Sequence, residues 1–588
     1  MPSPSSVSIA CASAFWGDTP FAVRQILREP KLDYIVFDYL SEVTMTLLAR
    51  QKKRDPQTGY AADFLSDVIV PHLQTCKKRG IRLVANAGGC NPQALKFKIE
   101  EFAKQHSLGV KVAVVDGDDL TSRMPSDFTD LDGIRHVGRV PISANAYLGA
   151  PGLVAALETG ADVVLSGRVV DSSLVLAPLV HEFNWAWSDF DLLAQGSLAG
   201  HIVECGAQAC GGNFTDWAKV PGQDDIGFPI VHVENNGSFT VTKTPRSGGM
   251  VTTATVAEQI VYEIGDPKNY LLPDVNCDFS HVVLNSTNEN TVQVTGARGR
   301  APSQVYKVLA TVQEGWKISA TAFIAGGNAK AKAQAVGRAI VARCERLLSE
   351  DGVSGFSETR IETLGSHDQV TLRISAVHSR AEALEVLAKE IAPAATSLAP
   401  GLANLFSGRA TPVPRIAIIS FLWPKDSFEI LVDCDGATKA VQLPAVSVEK
   451  IENGSTSRIV APLLSGSGLK EVPLERIAYA RSGDKGDNVN IGVIARNPKL
   501  FDILKSELSD AKVEAFFADE LSGARGSSPN VQSWELPGFN ALNFVLNKCL
   551  GGGGAYSLKV DSQGKAYAQR LLQMPIQVPE LLLKEVGE

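Results

Sequence analysis

A surplus of positive charge is the first thing this sequence lacks. Its 588 residues carry 56 Lys and Arg against 64 Asp and Glu, a formal net charge of −8. That balance argues against a broad nucleic-acid face or an acidic-membrane binder, since both need a basic surface. A local basic pocket for a small anion is still open. Long apolar runs are missing too, and no stretch is long enough to cross a bilayer. The opening residues, MPSPSSVSIACASAF, hold neither a basic leader nor an Arg-rich amphipathic helix, so a cytoplasmic location is expected. The nine cysteines, at 11, 76, 90, 205, 210, 277, 344, 434 and 549, are odd in number. Their spacing suits neither a zinc ribbon nor a disulfide framework, and they read mostly as small buried apolar residues in a reducing compartment. Neither a dinucleotide fingerprint nor a Gly-x-x-x-x-Gly-Lys-Ser/Thr phosphate loop occurs. No resident cofactor and no metal site is therefore expected.

What is present points to two to four domains. Over residues 1–225, short apolar runs alternate with amphipathic stretches, which predicts an α/β domain on a mainly parallel sheet. Strands are expected at 7–12, 34–37, 82–85, 111–115 and 161–165. Helices are expected between them, one of them over 59–79 and bent at Pro71. Residues 226–451 read as an α+β region in which strand groups alternate with helices at 329–349 and 380–391. A short strand is expected there at 259–262. Residues 452–472, rich in Ser and Gly, read as a linker. Residues 473–588 form a small α+β domain, with strands at 476–480, 488–494, 531–535 and 556–560, and a helix at 541–550.

Ligands of parallel sheets sit outside the carboxyl ends of the strands. Here those ends carry Asp38, Asn86, Gly88, Gly89, Asp116, Asp118 and the turn Ser166-Gly167-Arg168. Turn and cap chemistry alone accounts for any one of them. As a set they predict one shared rim. Ser166-Gly167-Arg168 leads from a strand into a helix, where backbone N–H groups and a guanidinium suit a phosphate or carboxylate. The competing reading is an ordinary turn with Arg168 in an ion pair. Asp171, one turn further on, either positions Arg168 or serves as a base. Asp116 and Asp118 read either as a polar turn or as paired carboxylates for Mg²⁺ or acid–base work, without the ligand rhythm of an EF-hand.

Further on, His201, Glu204 and Cys205 fall at i, i+3 and i+4, which puts them on one face of a helix. The residue types fit a general acid or base, and a thiol nucleophile if the cysteine is activated. A packed structural helix is the plain alternative. In the tail, Arg481-Ser-Gly-Asp-Lys485-Gly-Asp487 reads as a loop between two strands. Gly551–Gly554 is costly in backbone entropy. The two are expected to face each other across the site, contributing Lys485, Gly552 and Gly553 to substrate binding. The alternative is a plain accessory or dimerisation domain.

Two long stretches carry a family resemblance. One is ADVVLSGRVVDSSLVLAPLVHEF with LAQGSLAGHIVECGAQACGGNFTD. The other is ARSGDKGDNVNIGVIAR with LNKCLGGGGAYSLKVDSQGKAYAQ. Together they resemble the acyclic terpene utilisation protein family, and the tail resembles its ferredoxin-fold C-terminal domain. The resemblance implies a link to the degradation of geraniol- or citronellol-type acids through acyl-CoA thioesters. It implies no assigned reaction.

The residues then predict a lyase- or hydratase-type enzyme acting on a branched carboxylate or acyl-CoA. Asn86 and Arg168 would orient the substrate, and Glu204, Cys205, Asp38 and Asp171 form the catalytic set. The alternative expectation is a non-catalytic subunit that partners a pathway enzyme. A homo-oligomer is expected on general grounds.

Overall fold

Runs such as Val-Ser-Ile-Ala-Cys and Tyr-Ile-Val-Phe are short, β-branched or aromatic, and bounded by turn residues, so they bury as strands. The computed structural model describes residues 4–366, 368–404, 408–445, 468–521 and 529–585. The chain forms two compact units that interleave along the sequence. One comprises Met1–Ala310, Ser420–Cys549 and Gln563–Glu588, and the other Thr311–Ile419 and Leu550–Ser562.

The first unit is built on an eleven-stranded sheet. Its centre is five parallel strands in the order Ser6–Cys11, Tyr34–Phe37, Arg82–Ala85, Val163–Ser166 and Val112–Asp116. Ile9, Ile35, Leu83, Val114 and Val163 are fully buried in it, each such side chain contributing roughly 1.5–3 kcal/mol. Every other neighbouring pair is antiparallel. Pro229–Glu234, Phe239–Lys243, Thr291–Thr295 and Val283–Asn288 extend one edge. Leu431–Cys434 and Ala437–Ala440 extend the other. The sheet is thus mixed, not mainly parallel. The flanking strands come as three hairpins, Pro229–Glu234 with Phe239–Lys243, Val283–Asn288 with Thr291–Thr295 and Leu431–Cys434 with Ala437–Ala440, and the short turn in each can only return the chain antiparallel.

Helices pack between the strands. Ser41 caps Glu42–Arg54 by accepting from the Thr44 amide at 3.3 Å. The expected bend at Pro71 takes the form of a widened π-helical turn, Phe64–Ile69, leading into Val70–Arg79. The wider turn removes the clash that a proline ring makes with the preceding turn of a regular helix. Residues 259–262, expected as a strand, belong instead to the end of a helix, Thr253–Ile260, and the turn after it. A reciprocal cap between Thr252 and Thr255 fixes its start.

The C-terminal part of this unit is a four-stranded antiparallel sheet ordered Ala478–Lys485, Asn488–Ala495, Ala541–Leu546 and Val531–Leu536. Residues 541–546 are therefore strand, not helix. A short apolar run buried on both faces has no period that separates the two. Arg481–Asp487 is no long loop either. The strand runs through to Lys485 and turns at Gly486-Asp487. Most of the expected linker lies outside the described residues, and its end, Leu469–Pro473, pairs as a strand with Pro575–Pro579.

In the second unit, Trp316–Ala325 of a long strand pair with Gln369–His378, which pairs in turn with Glu358–Ser366. The helices Ala329–Glu350 and Ala381–Glu390 cover this sheet through Val336, Ile340, Leu384 and Leu387. Gly551–Gly554 belongs to this unit. A Cβ on Gly552 would meet the Tyr556 ring at 2.2 Å, and Gly553, at φ +67°, accepts from the Tyr556 and Ser557 amides through its carbonyl. No strand forms at 556–560. Instead Lys317 and Arg373 donate to the Ser557 and Leu558 carbonyls, at 2.9 and 2.6 Å. Among the described residues, no helix is long and apolar enough to cross a membrane.

Candidate active site

Strand register sets the site. Phe37 pairs with Ala85, and Ala85 with Leu165, so Asp38, Asn86 and Ser166 stand on one rung at the carboxyl end of the parallel strands. Asp38 is buried and accepts from the Asn86 amide nitrogen at 2.6 Å. Asn86 in turn accepts from the Tyr39 amide at 2.8 Å. Burial and the neighbouring Asp171 push the Asp38 carboxyl well up, against the pull of Arg168. Burial thus favours the protonated form of Asp38, the form that a general acid needs.

The Ser166-Gly167-Arg168 turn is already supplied with an anion of its own. The buried Asp118 carboxylate accepts from the Arg168 backbone N–H at 2.9 Å and from Asn145 at 2.7 Å. A Cβ on Gly167 would meet Asp118 Oδ1 at 2.3 Å, and one on Gly88 would meet the Ser166 carbonyl at 2.6 Å. These glycines serve close packing between neighbouring turns. Gly89, at φ +53°, does the same against Leu48. The following helix, Ser173–Phe183, begins only beyond this turn. Asp116 closes its own turn by accepting from Gly117 N–H at 2.7 Å.

The Arg168 guanidinium is buried over the Tyr147 ring, 4.2 Å from its centroid. It donates to Asp171 and to the Leu40 carbonyl, both at 2.7 Å. Arg168 thus positions Asp171, whose side chain stays 30% exposed while that of Arg168 is 5% exposed. The Asp171 charge bears on Asp38, Glu204, Tyr147, Tyr270 and Lys307. These groups lie near enough to one solvent-touched carboxylate to feel its charge. Glu42 joins them from its helix, accepting from the Tyr147 hydroxyl at 2.9 Å.

Opposite lies the helix Phe190–Val203, with Glu204 at its C-terminal cap. His201 and Glu204 meet as the i, i+3 spacing predicts, Nδ1 to Oε1 at 3.0 Å. His201 Nε2 is 3.2 Å from the Ile260 carbonyl, so it carries a proton. Nδ1 and Glu204 then share one further proton between them. Burial raises the Glu204 carboxyl, against the pull of His201. Cys205 does not join this chemistry as a thiolate: burial, with Glu204 and Glu263 beside it, pushes its thiol well up.

The tail reaches the same place. Lys485 lies 5.7 Å from the Tyr270 ring centroid, is exposed, and its charge bears on Glu204 and Lys307. Behind it, Lys565 bridges Tyr262, Glu263 and Asp484. Burial pushes Asp484 up to about 6. The structure therefore assembles Asp38, Asn86, Arg168, Asp171, Glu204 and Lys485. It leaves Gly552 and Gly553 in the other unit. Glu42, Tyr147, Tyr270 and Lys307 were not legible as site residues.

A cavity of about 800 Å³ lies elsewhere, lined by Lys111, Glu158, Trp187, Asp435 and Lys439. It opens at the amino end of Val112–Asp116, the wrong end of the strands for parallel-sheet chemistry. Among the described residues, no group of three or more His, Cys, Asp and Glu side chains is arranged to hold a metal ion.

Comparison with known families now adds to this geometry. Residues 7–434 match the family described as acyclic terpene utilisation family protein AtuA. The chain belongs to that family. Residues 472–577 match the AtuA ferredoxin-like domain, the part that carries Arg481 and Lys485. No curated protein and no solved structure matches the chain significantly. Within an AtuA chain, then, the ferredoxin-like domain supplies a cation to the rim of the α/β sheet.

Proposed function

We propose that this AtuA-family protein is an enzyme of the lyase or hydratase type. Its substrate in this reading is a branched or terpenoid-derived carboxylate or acyl-CoA. The observation that carries the proposal is the half-exposed Asp171 carboxylate, held by Arg168, near two carboxyls that burial pushes up, Asp38 and Glu204. Carboxyls raised by burial are suited to the acid half of such work. Asp171 takes a proton from the carbon next to a carbonyl. The Glu204–His201 pair, or Asp38, returns one to the leaving or arriving oxygen. Lys485 meets the anionic end of the substrate from the tail. The family name supports a branched isoprenoid skeleton, and no step in this scheme needs a redox cofactor.

Purified protein incubated with branched enoyl-CoA and 3-hydroxyacyl-CoA substrates, followed by mass spectrometry, tests the reading. Hydration or elimination is expected. Asp171→Asn and Glu204→Gln should each lower kcat by about 10²–10⁴-fold with an unchanged circular-dichroism spectrum. Absence of turnover, together with stable capture of a second enzyme by this protein, favours the non-catalytic subunit instead. Equal rates in wild type and both variants remove these residues from the mechanism.

A further inference from the structure

The side-chain amide of Asn145 is fixed in direction. Its Nδ2 donates to the Asp118 carboxylate at 2.7 Å, and that carboxylate also takes the Arg168 backbone N–H. An acceptor on that side demands the NH₂ end of the amide, which sends Oδ1 the other way. Asn145 is 4% exposed, and among the described residues its Oδ1 has no hydrogen-bond partner. A buried acceptor left so costs about 1–3 kcal/mol. Asn145 also borders a small cavity of about 10 Å³, lined with it by Glu42, Met45, Tyr147, Arg168 and Leu309. One water needs roughly that much room, and about two to four polar partners. The walls supply them. Glu42 accepts from the Tyr147 hydroxyl through Oε1 at 2.9 Å, and its carboxylate has a second oxygen. Burial works to raise the Glu42 carboxyl, but Arg168 and Lys307 outweigh it and hold the group below its usual value. Glu42 therefore stands ionised, as an acceptor. Arg168 lines the same cavity and donates to Asp171 at 2.7 Å, so one side chain links the cavity to the Asp171 carboxylate.

We infer that this cavity binds one water molecule between Asn145 Oδ1 and the Glu42 carboxylate, and that this is the water added to the substrate, with Glu42 taking its proton. The inference rests on the hydratase reading of the Asp171 site, and narrows its substrate to an α,β-unsaturated thioester. The water oxygen bonds to the β-carbon. The C=C π electrons move to the α-carbon and onto the thioester oxygen, giving an enolate, and the water's proton passes to Glu42. Protonated Asp171 then gives its proton to the α-carbon. One H and one OH have been added across the double bond. Glu42 releases its proton to solvent and Asp171 regains one from it, so protons and charge balance, and no oxidant or reductant is consumed. Elimination runs the same steps backwards, with Asp171 as the base. The buried Asp38 and Glu204 carboxyls are left to donate to the thioester oxygen as charge gathers there.

Two measurements on the full-length protein test this apart from the wider reading. The first is a crystal structure at a resolution that orders individual waters. A water peak should lie within hydrogen-bond distance of both Asn145 Oδ1 and Glu42. It should be gone from Leu309→Phe and from Met45→Phe, which enlarge two of the cavity's walls. The second measurement follows two thioesters by mass spectrometry. 3-Methylbut-2-enoyl-CoA reports hydration. 3-Methylbutanoyl-CoA, which has an α-hydrogen but no double bond, reports α-deuterium uptake in D₂O. Glu42→Gln should lower hydration by about 10²–10⁴-fold. The two cavity-filled variants should lose hydration to a similar degree. Their α-deuterium uptake, which needs Asp171 but no added water, should stay near wild type and shows that they are folded. Asp171→Asn should lose both reactions. A wild-type structure with no water peak at Asn145 would overturn the site. Hydration that survives in Glu42→Gln and in both cavity-filled variants overturns the reagent role and leaves the Asp171 reading standing. A wild type that neither hydrates the one thioester nor exchanges the other removes the hydratase reading, and the reagent role with it.

Discussion

Asp118 shows how one buried carboxyl holds the site in place and what that costs. It accepts the Arg168 N–H and the Asn145 side chain, and burial pushes its pKa up to about 7. A carboxyl that is raised in the folded state favours folding at pH below its unfolded value, near 4, and this contribution is lost as pH rises through 7. At about 1.4 kcal/mol per pH unit, the ionised group costs up to roughly 4 kcal/mol above that point. Asp118→Asn keeps an acceptor for both donors and has no charge to bury. The variant should be no more stable than wild type at pH 4 and more stable at pH 8, by urea denaturation midpoints. A stability difference that does not change with pH would contradict the assignment. Asp38, Asn86 and Ser166 were legible because strand ends and register are local properties of the sequence. Glu42 and Lys307 were not, because each sits in an amphipathic or alternating segment that reads as solvent-facing. Only the assembled fold turns those faces toward one another.

At the level of elements, the Arg481 motif changes meaning most. Read as a loop, its two cations looked like ligands. In the strand Ala478–Lys485 they divide the work. Lys485 reaches the site, while Arg481 is buried and fastens the small domain to the large one. Its guanidinium pairs with buried Glu258 at 2.9 Å and donates to Gln208, Gln259 and the Gly212 and Asn213 carbonyls. Gly492 on the next strand permits the contact, since a Cβ there would meet Val261 Cγ2 at 2.0 Å. Sequence reasoning found the motif but not its role, because a buried, fully bonded arginine and a ligand-binding one share the same local pattern. Arg481→Met leaves Glu258 buried without its cation, and should cost about 3–5 kcal/mol, read as a lowered denaturant midpoint. Replacing both members, Arg481→Met with Glu258→Leu, should recover much of that loss. If the double variant is as unstable as the single one, the pair is not the source. Gly492→Ala should cost about 1–3 kcal/mol by overpacking.

Across the whole molecule, the family match falls in two blocks, 7–434 and 472–577, but the physical division does not follow them. The ferredoxin-like sheet and the α/β sheet share one compact unit, and the segment 261–265 is bonded from the C-terminal side. Asn490 donates to the Val261 carbonyl at 2.8 Å and accepts from the Glu263 amide at 2.6 Å. Asn543 donates to the Ile264 and Gly265 carbonyls at 3.1 and 2.6 Å. Glu263 is held there at φ +56°, a conformation that costs a non-glycine residue about 1–3 kcal/mol. Composition and periodicity place strands in sheets but cannot reveal which distant strand satisfies a given carbonyl, so this interlock was invisible in sequence. A chain ended at Ala445 therefore loses at once the cation paired with Glu258 and the donors to five backbone carbonyls, those of Gly212, Asn213, Val261, Ile264 and Gly265. Each unpaired buried polar group costs about 1–3 kcal/mol, and the charge costs more, against a typical total stability of roughly 5–15 kcal/mol. Such a chain should be poorly soluble when expressed alone. It should become soluble and co-purify when residues 468–588 are supplied as a separate chain, and Glu258→Leu should partly rescue the short chain by itself. A truncated protein that melts at the full-length temperature would show the two blocks to be independent. Lys485 would then be a removable addition to the site.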